Sequence, residues 1–204
     1  RRATTTRARA VSRREGVLIA TTLLGSLAGR RRATATEDAD DAGAATTRKK
    51  RVVITGSNSG IGLDAATKLA ASGDWVVVLA CRTRAKAEAA KAKILSATNA
   101  DAANVECAEC DLASLDSVRA FVRELRRTGG VDALSLNAGV EYSGDPAVHR
   151  TRDGFEETFG VNHLGHFLLA NLLLEDLEKS SEAHPRIVVT ASEVHDPSSP
   201  GGNV

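Results

Sequence analysis

Cysteine is scarce: Cys81, Cys107 and Cys110 are the only three in 204 residues. That count cannot build a disulfide scaffold and suits a reducing compartment. Cys107 and Cys110 form a Cys-x-x-Cys pair, but on an expected strand their side chains face opposite ways. No second pair completes a zinc site, so buried structural thiols are expected and no metal is. Long apolar runs are missing too. Residues 17–28 are too few to cross a bilayer, and residues 167–177 are interrupted by Asn171, Glu175 and Asp176. The second stretch reads as core, leaving one face for a partner subunit. The net charge is +1, yet residues 1–36 hold nine Arg against the single acid Glu15, which leaves residues 37–204 seven charges negative. An acidic body without a basic patch excludes a nucleic-acid partner. Tyrosine occurs once, at Tyr142, and no internal repeat is visible.

What is present from residue 51 onward is an alternation of strands and helices. Strands are predicted at 51–55, 75–80, 104–110, 133–136 and 186–190, and helices at 60–71, 84–96, 114–127 and 161–179. The strand candidates are short apolar runs without alternation, as in a parallel sheet covered on both faces. Right-handed crossovers then give an α/β fold, a Rossmann-type doubly wound parallel sheet ordered 3-2-1-4-5. Ser114 reads as the cap of the third helix, with Asp116 in its first turn.

The first strand feeds Gly56-Ser57-Asn58-Ser59-Gly60-Ile61-Gly62, a glycine-rich turn that opens a helix. Gly56 suits a tight turn, Gly60 lets backbone approach a phosphate, and Gly62 lets helix and strand pack closely. The helix N-terminus would present N–H groups to a dinucleotide pyrophosphate. The spacing is Gly-x-x-x-Gly-x-Gly, not the commoner Gly-x-Gly-x-x-Gly.

Each further strand end carries a residue suited to the same ligand. Arg82 stands twenty residues past Gly62, where an NAD-binding chain would place an acid; a guanidinium grips a 2′-phosphate, so NADPH is the expected cofactor. Arg84 either assists or is surface. Asp111-Leu112 after the third strand would bracket the adenine edge, or Asp111 serves the turn before Ser114. Asn137-Ala138-Gly139 after the fourth is a small-residue turn where backbone can touch cofactor and Asn can tie strands together.

In this order, with Asn162-His163-Leu164-Gly165 and Ser192 following, these motifs resemble the short-chain dehydrogenase/reductase family across residues 50–204. Two branches fit best. Ala80-Cys81-Arg82, the run from Asp111 to Arg119, Gly154-Phe155-Glu156 and the runs 162–169 and 172–177 are similar to light-dependent protochlorophyllide reductase. The retinol dehydrogenase-like branch shares much of this, and Val189-Thr190-Ala191-Ser192-Glu193-Val194-His195 departs from the reductase pattern after its Ser.

The resemblance implies a catalytic Asn, Ser, Tyr and Lys. Asn162 would hold a water and backbone geometry for a proton relay, and Ser192 would hydrogen-bond the substrate oxygen or the Tyr. Tyr would donate the proton, Lys would lower its pKa, and NADPH would give the hydride. No Tyr-x-x-x-Lys occurs in the sequence. Tyr142 is followed by Pro146 four positions on and precedes Ser192, so it reads as a loop or substrate-side residue. Residues 196–203 read as an insertion loop. The chain is therefore expected to be a fragment, incomplete at its C-terminus, that binds NADPH without catalysis and leaves an apolar edge at the fifth strand. His163 and His166, three apart on one expected helical face, read as packing residues rather than ligands.

Residues 1–50 are rich in Arg, Ala, Thr and Ser, the composition of a transit peptide, with a disordered linker over 37–50. Ser12-Arg13-Arg14 and Ala33-Thr34-Ala35 resemble a twin-arginine signal with a cleavage site; a plain transit peptide is preferred, since an NADPH consumer belongs where NADPH is made. The first residue is Arg1, so an incomplete or processed N-terminus is expected. The reading is an NADPH-dependent plastid oxidoreductase of stroma or thylakoid, with a small-molecule substrate such as a tetrapyrrole. A carbonyl/alcohol oxidoreductase and a non-catalytic NADP(H)-binding module are the alternatives, and peripheral thylakoid association and a homo-oligomer are left open.

Overall fold

The computed structural model describes residues 48–142, 145–180, 184–192 and 198. The expected transit peptide and nearly all of its linker, the residues after Ser192 where the pattern departs, and the 196–203 loop apart from Ser198 lie outside the described residues. Five parallel strands form one sheet in the order β3-β2-β1-β4-β5. They are β1 (Lys50–Thr55), β2 (Trp75–Cys81), β3 (Val105–Glu109), β4 (Ala133–Leu136) and β5 (Arg186–Val189). The order reverses between β1, which pairs with β2, and β4 on its other side. Ligands bind at such a switch point, beyond the carboxyl ends of the strands.

The strands lack alternation because both sheet faces are covered. Val52, Val53 and Ile54 of β1 and Val77, Val78 and Leu79 of β2 are all buried. Helices α1 (Gly60–Ser72) and α2 (Arg84–Ala97) bury small residues, Ala65, Ala66, Ala70, Ala87 and Ala90, with Ile94 the one large side chain. Helices α3 (Leu115–Thr128) and α4 (His166–Glu178) bring Phe121, Val122, Leu125, Leu169, Leu173 and Leu177 into the main core with Val53, Val78 and Leu134. β5 differs. Among the described residues it pairs only with β4, and Ile187 and Val189 remain 40% and 63% exposed. No helix among the described residues is long and apolar enough to cross a membrane.

Local chemistry sets the helix ends. α1 stops at Gly73, whose φ of 75° places it in the left-handed region. α3 is capped by the Ser114 hydroxyl, which accepts from the Ser117 N–H. Asp153, from a distant loop, accepts from the Leu115 N–H at 2.8 Å. Asp116 in the first turn and Arg126 and Arg127 in the last complement the helix dipole. At the far end of the sheet Asp132 is buried. It accepts two bonds from Arg48 at 2.8 and 2.9 Å, one from the Arg51 N–H at 2.7 Å and one from Ser180.

The predicted continuous helix over 161–179 is composite instead. A single turn at Glu157–Phe159 leads into a π-helical stretch, Gly160–Gly165, before α4. Two glycines bound that stretch because other segments press against it. A Cβ at Gly160 would lie 2.4 Å from Thr151 Cγ2, and one at Gly165 would lie 2.6 Å from the Leu112 carbonyl oxygen. The wider turn also corrects the expectation that His163 and His166 share a face. His163 is exposed between the rings of Phe159 and Phe167, at centroid distances of 5.1 and 6.1 Å, whereas His166 is buried.

Candidate functional site

The β1–α1 turn is held from three sides. The Gly56 N–H donates to the Ala80 carbonyl of β2 at 3.0 Å. Gly56 has φ 64°, and a Cβ there would stand 2.8 Å from Ala138 Cα. Gly62 has an ordinary φ but no room: a Cβ would meet Asn137 Nδ2 at 2.5 Å and the Gly56 carbonyl oxygen at 2.6 Å. Gly60 is the opposite case. Its φ of 54° favours glycine, yet a Cβ would find nothing within 4 Å. That empty space fronts the start of α1, where Ser59 makes no side-chain cap and no acid occupies the first turn. The free N–H groups and positive dipole end there fit an anion such as a dinucleotide phosphate.

The remaining turn residues play unequal parts. The Ser57 side chain is fully buried, 3.5 Å from Cys81 Sγ, so it faces β2 and leaves only backbone to a ligand. Asn58 and Ile61 are half-buried and Ser59 is exposed.

Past β2, Arg82 is exposed, and no hydrogen bond or ion pair holds its guanidinium among the described residues. Arg84 is committed elsewhere, to Glu88 at 3.1 Å and the Cys107 carbonyl at 3.3 Å, which makes it a surface residue. Past β3, Asp111 serves its own turn: Oδ1 accepts from the Ala113 N–H at 3.1 Å, and Arg152 lies 3.7 Å away. Leu112 is 5% exposed and part of the core, so its side chain does not face a cofactor. Burial raises the pKa of all three thiols near this edge, that of Cys110 to about 12. Cys107 is only half-buried.

Past β4, Asn137 ties three strands. Its Nδ2 donates to the Thr55 carbonyl of β1 at 3.1 Å, and its Oδ1 accepts from Thr190 just beyond β5 at 3.2 Å. Ala138 packs under Gly56, and Gly139 is exposed beside Asn162. The Asn162 side chain, in the π-helical stretch, holds the next residue of that turn: Oδ1 accepts from the Val140 N–H at 2.8 Å and Nδ2 donates to the Val140 carbonyl at 3.0 Å. Asn137, Gly139, Asn162, His166, Thr190 and Ser192 all line one open groove of about 660 Å³. Asn162 and Ser192, thirty positions apart in sequence, therefore line the same groove as the turn after β4.

Thr55, without a role in the sequence reading, and His166, read there as a packing residue, sit at the centre. Thr55 Oγ1 accepts the N–H groups of Asn137 and Ala138 at 2.8 and 3.0 Å and lies 2.9 Å from His166 Nε2. His166 Nδ1 lies 3.1 Å from the Asn162 carbonyl oxygen, and burial lowers the ring's pKa. Tyr142 lies in the loop beyond, its ring stacked on His149 at 4.0 Å.

The family model for short chain dehydrogenases matches residues 50–204. Over 153 residues the chain is 44% identical to the chloroplastic protochlorophyllide reductase of Chlamydomonas reinhardtii, covering 74% of this chain and 38% of that one. The chloroplastic protochlorophyllide reductase A of Oryza sativa subsp. japonica is 46% identical over 154 residues, covering 75% and 39%. The chain thus spans about two fifths of the length of these relatives. Among solved structures, an alcohol dehydrogenase from the archaeon Thermococcus sibiricus, complexed with 5-hydroxy-NADP, is similar with a TM-score of 0.60 and 28% identity, covering 76% of this chain and 63% of that one.

Proposed function

The chain belongs to the short chain dehydrogenase family, and from that premise we propose that it is the nucleotide-binding part of an NADPH-dependent oxidoreductase of the protochlorophyllide reductase type. The observation that carries the cofactor reading is the open space at Gly60 before an uncapped, acid-free helix start. Gly56–Gly62 and the α1 N-terminus receive the phosphates through backbone N–H groups. Arg82, exposed just past β2, takes the 2′-phosphate. Ala138 and Gly139 form a small-residue turn where backbone can approach the cofactor. In an enzyme of that type, NADPH would supply a hydride to a ring C=C of a tetrapyrrole.

The chain's own contribution to the proton side is positional. Asn162 fixes the Val140 turn, and Ser192 brings a hydroxyl to the same groove. The Tyr-x-x-x-Lys that the family's chemistry calls for is not among the 204 residues, so they bind cofactor without turnover. The chloroplastic names of the relatives and the Arg-, Ala-, Thr- and Ser-rich leader support a plastid location, with residues 1–50 as transit peptide and linker.

Absorption spectroscopy tests this reading. Protochlorophyllide added to the 204-residue chain is expected to shift its absorption band only when NADPH is also present, without bleaching to product. No shift with NADPH present would remove the tetrapyrrole assignment.

A further inference from the structure

The Thr55 hydroxyl has more neighbours than it can treat alike, and counting its protons fixes the state of His166. A hydroxyl has one proton to give and two lone pairs to receive with. The Asn137 and Ala138 N–H groups, at 2.8 and 3.0 Å, take both lone pairs. The proton must leave toward His166 Nε2 at 2.9 Å or the Ser135 carbonyl at 3.3 Å. If it went to Ser135, Nε2 would be left buried with nothing to accept from, or would bring a third donor to a filled oxygen. Both are costly in a site 6% exposed. Thr55 therefore donates to Nε2, and the ring proton sits on Nδ1, donating to the Asn162 carbonyl at 3.1 Å.

We propose that His166 is a positioning residue, held as the neutral Nδ1–H tautomer, that locks the β1–α1 turn, the turn after β4 and the Asn162 turn into one nucleotide-competent arrangement. A second proton on the ring puts a donor against Thr55, frees its hydroxyl and loosens all three turns together. Protons thus compete with nucleotide, and affinity falls as pH falls. Among the described residues, what acts on the ring is burial and the Asn162 carbonyl rather than a charged group. β1 presents Thr55, β4 and its turn present Ser135, Asn137 and Ala138, and the π-helical stretch presents a carbonyl. His163, the nearest titratable residue in sequence, is stacked between Phe159 and Phe167 instead. Burial acts in the same direction, lowering the ring's pKa below its ordinary value.

The proposal rests on the NADPH reading, and the test separates the two. The tautomer of His166 is read in the 204-residue chain from side-chain nitrogen shifts at neutral pH. NADPH affinity is then measured by fluorescence from about pH 7.5 to about pH 5, the range in which histidines charge, for the wild type and for His166→Gln. The 2′-phosphate titrates in this range as well, but equally for both proteins. The expected result is an unprotonated Nε2, and a wild-type affinity that falls by about tenfold more than the variant's once the ring is forced to charge. A protonated Nε2 at neutral pH, or parallel pH profiles, would overturn the proposal while leaving NADPH binding intact. No NADPH binding at any pH would overturn both readings. If His166→Gln does not fold, the nitrogen shifts on the wild type still decide.

Discussion

Asn162 clasps the backbone of Val140 with both ends of its amide, accepting from the N–H at 2.8 Å and donating to the carbonyl at 3.0 Å. Of the twenty side chains only Asn and Gln offer a donor and an acceptor in this geometry, and Gln is one carbon too long. Asn162→Asp keeps the acceptor but sets a second oxygen against the Val140 carbonyl. It is expected to cost about 1–3 kcal/mol in denaturant unfolding and to weaken NADPH, with Asn162→Ala the milder variant. Equal stability of the Asn162→Asp variant and the wild type would show that the clasp is incidental.

The glycines of the first turn separate ligand clearance from protein clearance. Gly62→Ala must displace Asn137 Nδ2 or the Gly56 carbonyl, which a Cβ would meet at 2.5 and 2.6 Å, so it is expected to lower stability by about 1–3 kcal/mol. Gly60→Ala meets no protein atom and bears only the left-handed backbone cost of about 1–2 kcal/mol. Its larger effect is expected on NADPH affinity. Thermal melts beside NADPH titrations check this. A Gly60→Ala chain that binds NADPH as well as the wild type would place the phosphates elsewhere.

Asp132 makes stability acid-sensitive. Burial alone would raise its pKa, but donors from Arg48, Ser180 and the Arg51 N–H outweigh burial and hold the carboxyl below its usual value. The unfolded value is about 3.9, so the stabilisation is complete above that pH and is lost as pH falls through the folded-state pKa. Asp132→Ala leaves the Arg51 N–H buried without its acceptor and is expected to cost about 2–4 kcal/mol near neutrality. Its stability should then decline less steeply than the wild type's below about pH 4. Identical acid slopes would contradict the assignment.

The three thiols should differ in reactivity. Cys110 is pushed up to about 12 by burial, Cys81 is buried, and Cys107 is the half-buried one. Alkylation of the native chain is expected to mark Cys107 first, with Cys81 and Cys110 reacting only after unfolding. Mass spectrometry of a time course reads the order, and early labelling of Cys110 would refute it.

The strand order and the β1–α1 turn were legible in the sequence because their signals are local: buried apolar runs, a glycine spacing, and an Arg at the end of β2. The π-helical stretch was not, since it arises where Thr151 and Leu112 press on Gly160 and Gly165. Its only sequence trace is that pair of glycines five apart. The Thr55–His166 contact joins residues 111 positions apart, beyond any periodicity. Ser57 and Leu112 belong to ligand-facing motifs by position, yet their side chains are drawn inward by Cys81 and by the core. Asp111 was read with two roles open, and the Asx-type bond to Ala113 shows that it serves the turn.

The proposed function makes Arg82 the partner of the NADPH 2′-phosphate. Calorimetric titration of the 204-residue chain with NADPH and NADH, repeated on Arg82→Glu, tests it most directly. The wild type is expected to favour NADPH by about 10–100-fold and the variant to lose or invert the preference, because a charge-assisted bidentate contact contributes about 1.5–3 kcal/mol. Equal affinity of the wild type for both nucleotides, or a preference untouched by Arg82→Glu, would contradict it.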